Sequence, residues 1–311
     1  MQEGENTSGV TVNSEVTPPK RPRYKVSAVV ALVALLLVLA LGIGAWFGGS
    51  WWERREWEPK YDDLEARYGE LRKDNQALDT ANGQLSKDNA LYLGQYGEYL
   101  GIMKEVNRRL GYSCDVRQSF VTPNDADVAA RVLAITGGYS SDASEQWSDY
   151  DAMYDWVVAN IKYSYDSSLP RLPLAPNLSL LTWQKDYWRT PSETLEDKTG
   201  DCEDMACLLA SMVRNYTQSR YACWVITWYS QDSGHAAVAI PVTGGNLAIL
   251  DPAGNQTIGF GGHQSISVTA TMWLGKWPSE SGIHVSGVFS DTECDEFANT
   301  AEFVAWASVR A

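Results

Sequence analysis

Hydrophobic and polar residues are patterned on four scales along this chain, and each scale predicts a different element. From Val26 to Phe47 the run VSAVVALVALLLVLALGIGAWF carries no charge over 22 residues. A helix rising about 1.5 Å per residue over that length spans the ~30 Å hydrocarbon layer of a bilayer. A secretory h-region is shorter, about 7–15 residues. A soluble core helix would not need Trp46, Trp51 and Trp52 at one end, where indoles suit a membrane interface. The run therefore predicts one transmembrane helix over 26–48. Residues 1–25 are polar, with Pro18, Pro19 and Pro22 among Lys20, Arg21, Arg23 and Lys25, and predict a disordered tail. Those four bases place the N-terminus in the cytoplasm and everything after the span outside.

The second scale is a heptad. From Trp57 to Leu110 the d positions are Trp57, Leu64, Leu71, Leu78, Leu85, Tyr92, Tyr99 and Val106. The a positions are Tyr61, Tyr68, Asn75, Asn82, Asn89, Tyr96, Met103 and Leu110. A repeat of that length predicts a coiled-coil stalk over 53–112, roughly 80 Å long if fully helical. A buried Asn at a is satisfied by the same Asn on a partner in register, so the three consecutive Asn layers predict a parallel homodimer; the alternative is a single amphipathic helix packed on its own domain. Gly69, Gly83, Gly94, Gly97 and Gly101 each weaken the helix by about 1 kcal/mol relative to Ala.

Residues 114–311 suit one domain. Helical spacing appears at Asp125–Thr136 (Val128, Ala129, Val132, Leu133) and at Ser144–Ile161 (Trp147, Met153, Trp156, Val157, Ile161). Proline-rich residues 169–176 predict a loop. Thr190-Pro-Ser-Glu193 has the residues of a capping box with proline at the first helical position, and Asp201 stands where it would cap a helix over Cys202–Tyr216. Apolar runs follow at Tyr221–Tyr229, His235–Val242 and Asn246–Leu250, separated by Gly-rich turns. Helices first and strands afterward predict an α+β fold with an antiparallel sheet.

Charge and cysteine usage narrow the function classes. The net charge of −14 excludes a nucleic-acid binder, which needs a basic field. Asn177, Asn215 and Asn255 open N-glycosylation sequons, in keeping with an external domain. All five cysteines lie beyond the predicted span. Cys114, Cys207, Cys223 and Cys294 are candidates for two disulfides, which would leave Cys202 as a nucleophile.

The stretch KTGDCEDMACLLASM, Lys198 to Met212, holds two of these cysteines. Four roles are open to Cys202: nucleophile, half of a disulfide, metal ligand, or small apolar filler. In the first turn of a helix the unpaired N–H groups and the dipole stabilise a thiolate, while Glu203 and Asp204 oppose that effect. Cys207 lies about 140° around the helix at 100° per residue, amid Ala206, Leu208 and Leu209, and predicts a core position or a partner such as Cys223. A nucleophilic Cys needs a base and the base an orienting group. His235 heads one strand and Asp251 ends the next. A hairpin about Thr243-Gly-Gly-Asn brings the two together, with Cys202 reaching them from a helix packed on the sheet. The chain has no C-x-x-C pair and no histidines at metal-ligand spacing, so neither zinc nor any cofactor is expected. His263 and His284, in Gly/Ser-rich segments, read as surface residues.

The run YWRTPSETLEDKTGDCEDMACLLASMVR, then GHAAVAI, then LAILDPAG resembles the transglutaminase-like superfamily, most closely its bacterial and archaeal cysteine peptidases. The resemblance begins at DWVVANIKYSYD and covers about 150–260. It implies a papain-like core with the Cys-bearing helix on an antiparallel sheet, Cys202 as nucleophile, His235 as base and Asp251 as orienter. The papain signature C-G-S-C-W is absent, which limits the likeness to the superfamily. The family also implies a side-chain donor to the oxyanion; Trp183, Gln184, Tyr187 and Trp188 are the candidates upstream of the cysteine. Two functions follow as expectations. One is a membrane-anchored enzyme, external to the cell, that acylates its cysteine from a polypeptide and resolves the thioester with water or an amine. The other is a non-catalytic binding module on the same fold; retention of all three triad positions favours the enzyme. Residues 114–149 and 262–311 stay unassigned.

Overall fold

A computed structural model describes residues 30, 32–40, 51–111, 113–173, 181–231 and 233–311. The chain divides into two compact units, Met1–Asn89 and Ala90–Ala311. In the first, residue 30 and residues 32–40 are helical. The rest of the expected span over 26–48 lies outside the described residues. Among those described, no helix is long and apolar enough to cross a membrane. Helix α1 (Trp51–Arg108) is continuous for 58 residues, as the heptad predicts, despite its glycines. Leu64, Leu71, Leu78 and Leu85 along its d row are at least half exposed.

The end of the heptad has another use. Met103 and Leu110, at a positions, are buried in the second unit itself. Tyr99 donates to the Pro173 carbonyl at 2.8 Å, and Asn107 exchanges two 3.1 Å bonds with the backbone of Leu172. Arg109 forks onto both oxygens of Glu193. The last turns of α1 are thus docked on their own domain, and their apolar residues are covered there.

Helices come next: α2 (Cys114–Gln118), α3 (Ala126–Thr136) and α4 (Ala143–Asn160). Asp125 and Asp142 cap α3 and α4, each accepting two backbone N–H groups, which is the chemistry N-cap Asp supplies. Short strands β1 (Lys162–Tyr163), β2 (Leu169–Arg171) and β3 (Thr182–Gln184) lead to α5 (Pro191–Asp197). The stretch expected as loop at 169–176 therefore supplies β2, antiparallel to β3, while 174–180 lie outside the described residues. Helix α5 starts with the expected capping box of Thr190 and Glu193. Strand β4 (Thr199–Gly200) pairs parallel with β1 and delivers the chain into α6 (Cys202–Tyr216).

The remaining elements are β5 (Trp224–Tyr229), β6 (Gly234–Val242), β7 (Asn246–Asp251), β8 (Gln256–Ile258), α7 (Ile266–Leu274), β9 (Gly287–Phe289), β10 (Cys294–Glu296) and α8 (Thr300–Ser308). Six of the strands form one sheet in the order β10-β9-β5-β6-β7-β8, antiparallel at every step. The fold is α+β, as the element order predicted.

Both faces of this sheet are covered. Val225, Ala236, Val238 and Leu250 pack with α3, α4 and α6 in one core. Trp224, Ile226, Ala237, Ala239, Leu247 and Ile249 pack with α7 and α8 in a second. Burial on two sides is why the β6 sequence AAVAI lacks polar alternation. It also gives 262–311, unassigned from sequence, a structural role as the second helical layer.

One disulfide joins described residues, Cys114–Cys294, with Cα atoms 5.7 Å apart. Cys207 and Cys223 are free and buried, so the expectation of two disulfides is corrected to one. Each sits among apolar core side chains that exclude water, and burial pushes the Cys223 thiol up to about 12 and that of Cys207 well above the usual range. Among the sequons, Asn177 is outside the described residues. The Asn215 amide is engaged with the Pro123 carbonyl at 2.6 Å, while Asn255 is exposed.

Candidate active site

Three local arrangements bring the site together at one end of the sheet. The first is the approach to α6. Strand β4 runs so close to the helix that a Cβ on Gly200 would lie 2.7 Å from the Asp204 Cβ, so this position requires glycine. Asp201 occupies the N-cap position but makes no side-chain cap bond, contrary to the sequence reading. Its carboxyl is buried instead, near enough for its charge to act on the Cys202 thiol. The Cys202 thiol lies 3.4 Å from Glu203 Oε2 and beside the backbone N–H of Ala236 on β6. Burial, and then the charge of Asp201, push the thiol up to about 12, and the Ala236 N–H only partly offsets them.

The second arrangement is the β6–β7 hairpin. Val242 pairs with Asn246 across its turn, as predicted, and the register runs back to Val238 opposite Leu250. At its open end His235 Nε2 lies 2.9 Å from both Oδ1 and Oδ2 of Asp251. Both side chains are buried, with Asp251 at 0% exposure. Asp251 is oriented further by the Gly254 N–H at 2.7 Å, Gln256 Nε2 at 3.2 Å and Trp273 Nε1 at 3.1 Å. With Nε2 held by the carboxylate, the other imidazole nitrogen, Nδ1, is the one free to exchange a proton with a neighbour. His235 is the residue before Ala236, whose N–H meets the Cys202 thiol. His235 and Asp251 are thus paired, and the Cys202 thiol meets the residue next to His235 in β6.

The third arrangement escaped the sequence reading. Oxygens of Asp166, Asp186, Asp201 and Glu203 all lie within 4.8 Å of one another. Asp201 Oδ1 and Glu203 Oε1 are buried without a hydrogen-bond partner. Arg189 offsets part of the charge, at 3.2 Å from Asp166 and 2.5 Å from Asp204. Burial raises Asp166 to about 6 and Asp204 to about 7, and holds Asp201 above and Glu203 well above the usual carboxyl range. Calcium–oxygen distances of about 2.4 Å place opposite ligands about 4.8 Å apart, so these four oxygens fit one coordination sphere. The donor set is all oxygen, which suits a hard divalent cation and not zinc. Cysteine and histidine spacing gives no sign of this site. The acids flanking Cys202 were the visible signal, but Asp166 and Asp186 come from separate segments.

None of the four proposed oxyanion donors is placed at the thiol by a hydrogen bond. Trp183 and Gln184 are on β3, with Trp183 61% exposed. The Tyr187 backbone N–H donates to Asp166. Trp188 is buried against Phe120 and Phe289, and its indole N–H donates to Asp186 at 3.2 Å. Trp188 thus serves the core, and it steadies one carboxylate of the acid cluster.

Residues 140–261 match the family model described as a transglutaminase-like domain. No curated protein matches the chain. Among solved structures, a candidate cysteine protease from Cytophaga hutchinsonii is 17% identical over 43% of this chain, with a TM-score of 0.29. The chain spans 38% of the length of that protein. Legionella pneumophila LapG is 13% identical, over 64% of this chain and 96% of its own, with a TM-score of 0.36. Its calcium-bound form is 14% identical, over 55% and 91%, with a TM-score of 0.30.

Proposed function

We propose, from the premise that residues 140–261 are a transglutaminase-like domain, that this chain is a cysteine enzyme acting on amide bonds of polypeptides. The observation that carries the reading is the buried His235–Asp251 pair, with the Cys202 thiol beside the backbone N–H of Ala236, the residue that follows His235. In the proposed reaction His235 Nδ1 takes the thiol proton and Cys202 Sγ bonds to the acyl carbon. The carbon–nitrogen bond breaks, and the departing amine takes its proton from His235. Water then resolves the thioester to an acid, or an amine resolves it to a new amide, with His235 relaying the proton again. Asp251 holds Nε2 and stabilises the imidazolium.

The test is to incubate the full chain with glutamine-containing peptides, with and without a fluorescent alkylamine, and analyse the products by mass spectrometry. Cleaved or deamidated peptide identifies water as the acceptor, and amine incorporation identifies transamidation. Peptide unchanged by wild type relative to Cys202→Ser, with no acyl-enzyme, would instead support a binding module. The thiol's position near 12 is the observation on that side.

The acid cluster belongs to this reading as a site for calcium, held by Asp166, Asp186, Asp201 and Glu203. Their oxygens lie within 4.8 Å of one another, and Asp201 Oδ1 and Glu203 Oε1 are buried without a hydrogen-bond partner. A bound cation would supply positive charge beside a thiol that carboxylates now oppose. Calcium at a hundredfold above its Kd is expected to raise Tm by roughly 5–10 °C, the shift that ~2.7 kcal/mol gives a domain of this size. The pH dependence has a definite sign. Asp166 and Asp204, raised to about 6 and 7, bind more protons folded than unfolded. Without cation their contribution is full below about pH 4 and is lost as pH rises through about 6–7. Calcium competes with the protons on its ligands Asp166, Asp201 and Glu203, so its Tm shift should be larger at about pH 7.5 than at about pH 5. Equal Tm in calcium and in chelator at the higher pH would remove the site.

The anchor over 26–48, the external location and the parallel pairing of α1 through Asn75, Asn82 and Asn89 complete the proposal. The uncharged run and the exposed d-row leucines support it.

A further inference from the structure

His235 and Asp251 lie on the face of the sheet that α7 covers, opposite the face on which the Cys202 helix packs. Alternation along β6 sends Ala237 and Ala239 into the second core, and His235 shares their parity. On β7, Ile249 faces that core too, and Asp251 shares its parity. The side chains that meet the pair therefore include a layer beyond the stretch matching the family model, which ends at residue 261.

Three indoles enclose the imidazole. The Trp277 ring centre lies 4.3 Å from that of His235, with Trp228 at 6.1 Å and Trp273 at 6.2 Å. Trp277 also packs on Trp228 at 5.5 Å. Trp273 does more than fill space, because its indole N–H donates to Asp251 Oδ2 and both residues are fully buried. Gln256 on β8 donates to the same oxygen at 3.2 Å. A carboxylate with two terminal oxygens can swing about its Cβ–Cγ bond. Donors fixed on two different elements leave it one orientation, the one that faces His235 Nε2.

We infer that Trp273 and Gln256 are positioning residues for the His235–Asp251 pair, and that Trp277 is the wall that holds the imidazole plane. This rests on the reading of His235 as the base for Cys202, and the experiment separates the two. The chain contains three histidines, so selective imidazole ¹⁵N labelling of the full-length protein gives a spectrum in which His235 can be assigned by its loss in His235→Ala. The signature is a slowly exchanging Nε2–H resonance, the mark of a buried donor held by a carboxylate. Trp273→Phe keeps the ring bulk and removes the donor; Gln256→Met does the same on the other side. Trp306→Phe, which removes an indole donor to Asp295 elsewhere in the same core, is the structural control.

The expected result is that Trp273→Phe and Gln256→Met each speed exchange of the His235 proton and slow iodoacetamide labelling of Cys202, by about tenfold for Trp273→Phe, the loss of one buried hydrogen bond. Trp306→Phe should change neither. An unaltered His235 resonance in a folded Trp273→Phe or Gln256→Met protein overturns the positioning role. Labelling that is unaltered in His235→Ala overturns the base assignment instead, and leaves the resonance test of positioning standing. If Trp273→Phe does not fold, Gln256→Met decides the question on the shared Oδ2 oxygen.

Discussion

Replacing His235 with alanine should slow acylation of Cys202 by roughly 10²–10⁴-fold, the range general-base catalysis contributes. The expectation follows from the thiol's surroundings. Burial and Asp201 push Cys202 up to about 12, so almost none of it is thiolate at neutral pH without a base to take the proton. The helix start does not supply that activation here, because Glu203 and Asp204 are also in the first turn. His235→Ala leaves Asp251 with the Gly254, Gln256 and Trp273 donors, so the carboxylate keeps partners and the fold should survive. Asp251→Asn should also impair the enzyme. An amide N–H in place of a carboxylate oxygen would face the imidazole N–H and favour the wrong tautomer. The measurement is the rate of iodoacetamide labelling at Cys202 by peptide mass spectrometry. Cys207 and Cys223 are buried and provide internal controls in the same digest. A rate in His235→Ala equal to that of wild type would falsify the base assignment.

The parts of this molecule that sequence made legible are those whose information is local. Helix α6 announced itself through Gly200, Asp201 and an apolar face, and the β6–β7 hairpin through two apolar runs about a Gly-Gly turn. The hairpin register brings the head of β6 and the end of β7 to one open end, so the nearness of His235 and Asp251 is legible from sequence. What escaped is nonlocal or short. The acid cluster draws on Asp166, Asp186 and the residues flanking Cys202, and no periodicity links them. Strands β9 and β10 have three residues each, too few for a pattern. Helix α7 carries apolar residues on most sides, so its buried face was not distinguishable. The heptad predicts a helix, which α1 forms, but a heptad cannot say what covers it. Met103 and Leu110 have the same residue character as any other a position, yet they pack on the domain that follows. For Cys207 the sequence leaves open the core or a pairing with Cys223, and the first holds because α6 is buried almost all round.

Removing the Cys114–Cys294 disulfide should cost about 2–5 kcal/mol of stability, at the upper end if the chain-entropy account holds. The two residues are 180 apart in sequence, so the bond closes a loop containing nearly the whole second unit. A loop of that length gives about 5 kcal/mol in the chain-entropy account. The bond links α2, just after α1 docks, to β10 at the edge of the sheet. The strands at that edge are short, with few hydrogen bonds to hold them, and the bond fixes β10 there covalently. Denaturant unfolding of Cys114→Ser/Cys294→Ser against wild type measures the cost, and an unchanged midpoint and slope would contradict it. The comparison also bears on location, since such a bond persists in an oxidising compartment and not in a reducing cytosol. Protein made in a reducing cytosol should therefore unfold like the double variant until it is oxidised. Protein exported through a membrane should carry the bond without treatment. If the exported chain instead shows free thiols at Cys114 and Cys294 by intact mass, the external placement of the second unit loses its main chemical support.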